Sequence, residues 1–189
     1  MPKRCSWSEF NQREIDYHDS EWGLPVHDDK ILFEFLILEG AQAGLSWDTV
    51  LAKRENYRKA FDNFDTSLII NYNQAKIDSL ILNPGIIRNK LKINSVVTNA
   101  KAFLEIQQKY GSFDNYIWSF VNHKVIQTNF KNFSEVPTKT EISDKMSKTL
   151  KKDGFKFIGS TICYAFMQAV GMTNDHVVDC FRHREVQLY

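Results

Sequence analysis

The chain has 189 residues, 43% apolar and 13% aromatic, with 24 basic against 23 acidic side chains and a net charge of +1. That length suits a single unit with an ample core and excludes intrinsic disorder. The near balance of charge excludes a whole-chain polycation, so contact with nucleic acid has to come from local clusters.

No apolar segment follows Met1-Pro2-Lys3-Arg4-Cys5, so a signal peptide is not expected. Three cysteines are too few for a disulfide framework, which makes the cytoplasm the default compartment; the sequence is silent on oligomeric state, so a monomer is the default. Asp28 or Asp29 can cap a helix through Ile31–Leu38. This best apolar run is too short for a membrane span and contains Glu34. It is apolar almost all round, so the helix should be central and buried.

Ser46 can cap a second helix, Trp47 to about Phe61, with a basic outer face at Lys53, Arg54, Arg58 and Lys59. Thr66–Tyr72 and Lys76–Leu82 read as short helices, the latter stopped at Asn83-Pro84-Gly85. A long helix follows from about Arg88 to Tyr110, its apolar positions at helical spacing, ended by Gly111. Ser112 caps another through Trp118, and 122–137 is polar and irregular. Ser143–Lys152 and Thr161–Val170 read as the last helices. Strand alternation is sustained nowhere, so the expected class is all-α.

Four features carry chemistry. Cys5 and His18 lie near the start, and His176 and Cys180 near the end. The last two, at i and i+4, share a face if that segment is helical. Two thiolates and two imidazoles suit a closed tetrahedral zinc site that would tie the ends together. The alternative is four unrelated residues, since His27, His123 and His183 are also present and the split pattern matches no compact finger.

Second, Asn83–Lys90 joins two helices. Amides converging at Gly85, Ile86 and Ile87, with the charges of Arg88 and Lys90, suit one DNA phosphate strand. An ordinary connection with surface cations is equally compatible. Third, Glu39 follows the most apolar helix and should be desolvated, with Trp7, Tyr17, Trp22 and Trp47 in the same quarter of the chain. Flat rings can stack a base and a carboxylate can read its amine edge; each tryptophan taken alone fits a core better, and Glu39 could instead pair with an arginine. Fourth, Leu45 in Gln42-Ala43-Gly44-Leu45-Ser46 can plug the gap left by a flipped nucleotide, or staple the next helix.

Tyr17-His18-Asp19-x-Glu21-Trp22-Gly23, Leu38-Glu39-Gly40-x₂-Ala43-Gly44-Leu45-Ser46-Trp47 and Lys53-Arg54-Glu55-x-Tyr57 stand in order along the chain. Gly85-Ile86-Ile87-Arg88, Trp118-Ser119-Phe120-Val121-Asn122, Leu150-Lys151-Lys152-x-Gly154-Phe155-Lys156-Phe157 and Asn174-Asp175-His176 continue the series. Nearly end to end, the sequence resembles the 3-methyladenine DNA glycosylase I family of the helix-hairpin-helix superfamily. The resemblance implies a single glycosylase unit over 1–189 with a helix-hairpin-helix subregion at about 74–110. It implies structural Zn²⁺ on Cys5, His18, His176 and Cys180, and Glu39 reading an adenine edge between Tyr17 and Trp47. Trp7 and Trp22 would line or flank that pocket, and Gly44 and Leu45 would meet the gap in the DNA. Some members carry a tyrosine where this chain has Glu14.

The expected activity is monofunctional hydrolysis of the N-glycosidic bond of 3-methyladenine in double-stranded DNA, releasing the free base. Many members of the superfamily use an aspartate beyond the hairpin. Asp114 is the only acid at a plausible distance, and the resemblance argues against it. No lysine is evidently placed for a Schiff base. A non-catalytic binder of alkylated or abasic DNA is the alternative, separated from the enzyme by whether free base is released.

Overall fold

The structure is a computed structural model that describes residues 2–189; Met1, first of the N-terminal stretch, lies outside them. The regular elements among the described residues are helices apart from one pair of two-residue strands. The helices are α1 Gln12–Ser20, α2 Asp29–Gln42, α3 Trp47–Leu51, α4 Arg54–Ala60, α5 Thr66–Ile69 and α6 Gln74–Leu82. They continue with α7 Lys90–Tyr110, α8 Phe113–Trp118, α9 Glu141–Lys152, α10 Ser160–Ala169 and α11 Phe181–Val186. Strands β1 Ile126–Gln127 and β2 Thr173–Asn174 pair in parallel, Ile126 opposite Thr173.

α2 is the axis of the molecule. Asp28 accepts from the Ile31 amide and starts it, and every residue from Leu32 to Ala41 is buried. Each buried Leu or Phe of that run contributes roughly 1.5–3 kcal/mol of apolar transfer. Around it pack α3, α7, α8 and α10. Asp29, in its first turn, reaches across to accept from the amides of Phe113 and Asp114 at 2.8 and 2.7 Å, so its carboxylate ties the start of α8 to the start of α2.

Several expectations change in detail. The helix expected over 47–61 is two, α3 and α4, because the chain turns at Ala52–Lys53 to send Arg54 inward. Arg54 is buried, donating to Glu34 at 2.5 Å and Glu21 at 2.7 Å, with its guanidinium 5.0 Å from the Phe35 ring. It therefore leaves the basic outer face. Arg58 also turns to Glu34, which resolves why a carboxylate is tolerated in the apolar run. The segment His176–Cys180 is a turn, not a helix; β2 runs in just before it and α11 begins just after.

The long helix starts at Lys90, two residues later than expected. Asn89 accepts from the amides of Leu91 and Lys92 at 3.0 and 3.1 Å and occupies the place expected for an anion. At its far end Gly111, with φ +86°, stops it as expected.

Candidate active site and metal centre

α1 sets both centres at once. Asn11 caps it by accepting from the Glu14 amide, and Glu14, Tyr17 and His18 then fall on its buried side. Tyr17 faces a cavity of about 340 Å³, and His18 faces the cluster of cysteines and histidines behind it.

The cavity brings together Trp7, Tyr17, Trp22, Glu39 and Trp47, all five of the residues read from the sequence as a base pocket. Its volume lies in the range of small-ligand sites. Glu39, 3% exposed, comes from the last turns of α2 rather than from beyond it, so the helix axis aims it. Its Oε2, the Tyr17 hydroxyl and the indole nitrogens of Trp7 and Trp47 are buried with no hydrogen-bond partner. Four orphaned polar atoms at one site are costly unless something else satisfies them. Burial alone pushes Glu39 up to about 8, so its carboxyl is neutral at pH 7. Burial, with the charge of Glu39 second, raises Tyr17 as well.

The Tyr17 and Trp47 rings do not stand parallel. Their centroids are 5.4 Å apart and the planes meet at 49°. A base sandwiched between them needs about 6.8 Å, twice the stacking step of nucleic acid, so the rings have to part to admit one. Trp47 begins α3 and is half-buried, which makes it the ring with freedom to move.

The remaining lining was not legible from local sequence. Glu14 and Gln42 come from α1 and α2, and Ala165 and Gln168 from α10. Phe10 and Phe133 stand at the rim, 82% and 36% exposed. No pattern near Glu39 points to Ala165 and Gln168, 126 and 129 positions away.

The turn after α2 presents Gly44 and Leu45 at the surface. Gly44 takes φ +81° and Leu45 is 42% exposed, where a stapling residue would be buried. Lys92 pins this turn, donating to the Ala41 and Ala43 carbonyls at 2.8 and 2.7 Å. Nothing in the local sequence marks that role, because a lysine in a helix pattern reads as solvated.

The hairpin is only partly as expected. Ile86 is buried in the core and Ile87 half-buried, so neither offers its side chain to a ligand. The Gly85 amide already donates to the Asn83 side chain at 2.8 Å, and the Ile87 amide to the Tyr57 hydroxyl at 3.3 Å. Gly85 is required for space rather than for a positive φ: a Cβ there would meet Asn56 at 3.2 Å. Arg88 and Lys90 are exposed, as a phosphate contact needs. Asp114 lies outside the cavity and accepts from His27 at 2.7 Å, in keeping with the argument against it.

Behind the Trp7–Trp22 pair, Cys5, His18, His176 and Cys180 gather their four donor atoms within 4.8 Å of one another, all buried. Sulfur–nitrogen separations are 3.7 Å (Cys5–His176), 3.6 Å (Cys180–His176) and 3.4 Å (Cys180–His18). The outer ring nitrogens are fixed too. His18 Nδ1 meets Asp19 at 2.8 Å, itself gripped by Arg4, and His176 Nε2 donates to the Trp22 carbonyl at 3.0 Å. Burial lowers the His176 pKa, keeping the ring in the neutral form that ligates metals. His27, His123 and His183 take no part, and Cys163 is a separate core thiol. Trp22 stands edge-on to His176 at 4.6 Å and to Trp7 at 5.0 Å, so the cluster backs the wall of the cavity.

Comparison with known proteins agrees with this arrangement. Residues 7–183 match the family model described as methyladenine glycosylase. DNA-3-methyladenine glycosylase 1 of Escherichia coli K12 is 50% identical over 178 residues, 94% of this chain and 95% of that one. A crystal structure of 3-methyladenine DNA glycosylase I superposes with a TM-score of 0.93 at 47% identity, covering 95% of this chain and 98% of the other. A second, of a single-residue variant of 3-methyladenine DNA glycosylase I in complex with 3-methyladenine, gives 0.91 at 35% identity, covering 94% and 96%. Matched end to end in sequence and in fold, the chain belongs to the methyladenine glycosylase family.

Proposed function

We propose that this protein excises 3-methyladenine from alkylated double-stranded DNA by hydrolysing the N-glycosidic bond, leaving an abasic site. The observation that carries this reading is the unpartnered, neutral carboxyl of Glu39 inside a ring-lined cavity. Adenine presents an acceptor (N7) beside a donor (the N6 amine). A neutral carboxyl offers the matching donor and acceptor, whereas the O6 of guanine would confront its carbonyl oxygen.

The duplex is held by the subregion at about 74–110, α6, hairpin and α7, acting as a helix-hairpin-helix element. Arg88 and Lys90 contact phosphate through their side chains, and Gly85, Ile86 and Ile87 shape the turn. Leu45, on the turn begun by Gly44, fills the space left by the flipped nucleotide. Tyr17 and Trp47 take the base between them, with Trp7 and Trp22 closing the inner wall.

Methylation at N3 makes the base a cation, so the bond to C1′ is already weak. When it breaks, the bonding pair goes to the purine, which leaves neutral, and water adds to C1′ and loses a proton. The hydrogen bond from Glu39 to N7 strengthens as electron density returns to the ring, and the rings hold the departing base in place.

The four-residue cluster fits Zn²⁺. A tetrahedron with Zn–S of about 2.3 Å and Zn–N of about 2.05 Å has S···N edges of about 3.6 Å, and the three separations are 3.4–3.7 Å. Two cysteines, two histidines and an acceptor for the N–H of each outer ring nitrogen complete the set. With four protein ligands the metal would supply structure alone: it would fix the 5–18 arm against 176–180.

Incubating the protein with methylated DNA tests the proposal. Free 3-methyladenine and abasic sites should appear, strands should stay intact until base is added, and free 3-methyladenine should inhibit. Binding without base release would leave only the non-catalytic alternative. Arg88→Ala should weaken binding to abasic duplex about equally in every sequence context and reduce the slope of log K against log salt by about 1. A loss confined to particular base pairs would contradict phosphate contact.

A further inference from the structure

The cavity holds a second carboxylate besides Glu39. Glu14 lines it, is 8% exposed, and sits one helical turn before Tyr17. One of its oxygens receives a weak hydrogen bond from the Asn11 amide at 3.3 Å. No lysine, arginine or histidine lines the cavity. The nearest candidate cation, Arg13, is spent on Asp48 at 2.5 Å. Two acids and four Trp or Tyr rings with no balancing cation make a chamber whose field favours a positive, flat ligand.

From this geometry, and resting on the function proposed above, we infer that Glu14 is a specificity-determining residue that makes the pocket select the cationic form of the alkylated base over neutral purines. The two acids divide the work. Glu39 lies at the closed end, where its carboxyl is neutral in the empty pocket and reads the hydrogen-bonding edge. Glu14 is less buried than Glu39 and holds only the Asn11 contact; its pKa is raised, by burial first and Asp48 second, with Arg13 opposing. It is the standing negative charge of the chamber, and it discriminates by charge rather than by shape. An undamaged base is neutral and gains nothing from it. Once the bond has broken the released base is neutral too, so the charge attraction ends with the reaction and only Glu39 and the rings still hold the product.

Glu14→Gln isolates the charge, because glutamine keeps the volume and can still pair with Asn11, whose cap on the Glu14 amide is untouched. Binding is read by tryptophan fluorescence at one pH near neutrality with two probes, the fixed cation 3,9-dimethyladeninium and neutral 3-methyladenine. Glu14→Gln should weaken the cation about tenfold and leave the neutral base within about twofold, and Glu14→Asp should keep most of the preference. Equal weakening of both probes would make Glu14 a mere wall, and no weakening of either would remove it from recognition; each overturns the inference. Wild-type protein that binds neither probe and releases no 3-methyladenine from DNA sinks the proposed function instead, a different and separable failure.

Discussion

Glu39→Ala is expected to slow single-turnover release of 3-methyladenine by about 10²-fold or more, the scale of losing a positioned proton donor at the leaving group. Affinity for abasic duplex should change little, because Arg88, Lys90 and the Leu45 turn are untouched. Rapid-quench release and binding to abasic DNA, measured on the same preparation, separate the two. Wild-type release by the variant would take Glu39 out of the chemistry. Stability moves the other way. The folded-state pKa of about 8 stands above the ordinary 4.5, so the folded protein holds this proton more tightly than the unfolded chain. The group therefore costs no charge burial below about pH 4.5 and destabilises increasingly as pH rises toward 8. Glu39→Gln, which stays neutral, should melt at a higher temperature than wild type at pH 8 and at nearly the same temperature at pH 4.5. A lower melting point at pH 8 would mean that the carboxyl has a partner after all.

The second large effect is expected from Cys180→Ser. Elemental analysis should find about one zinc per wild-type chain and close to none in the variant. Removing one ligand leaves a buried thiolate and two imidazoles without their common ion, a loss of roughly 3–5 kcal/mol. For a chain of this size that lowers the melting temperature by about 10 °C. Activity should fall with it. Tyr17 and His18 are neighbours on α1, and Trp22 touches both His176 and Trp7, so loosening the cluster loosens the wall of the base pocket. A metal-free variant that melts like wild type would show that packing alone holds the arm.

The sequence exposed those parts of the fold whose signals are local. Asp28, Ser46 and Ser112 cap where their side chains say they should, and α2 is buried because its run is apolar on every side. α1 and α11 carry no such run. α1 is polar, mixing charge with the buried Tyr17 and His18, and α11 is a helix of only six residues that follows Cys180. Arg54 misled because its partners, Glu21 and Glu34, lie 33 and 20 residues away. The five pocket residues and the four cluster residues could be named because chemistry marks each type and the family resemblance marks each place. Gln168, Phe133 and Lys92 escaped because only the folding of α7, α10 and the loop before α9 brings them near α2. The hairpin expectation failed in part for a related reason: Asn83, Tyr57 and Asn89 satisfy amides that seemed free when only the glycine and the helix start were in view.

Cys5 and Cys163 share one property with Cys180: none is more than 2% exposed, and Met146, Met167 and Met172 are wholly enclosed. Every sulfur atom among the described residues is thus sealed from solvent. Soft electrophiles that methylate purines also attack thiolates and thioethers wherever they can reach them. During a burst of such chemistry the described residues offer no accessible sulfur to be capped, so the agent that creates the lesions has no easy route through them to disarm the fold.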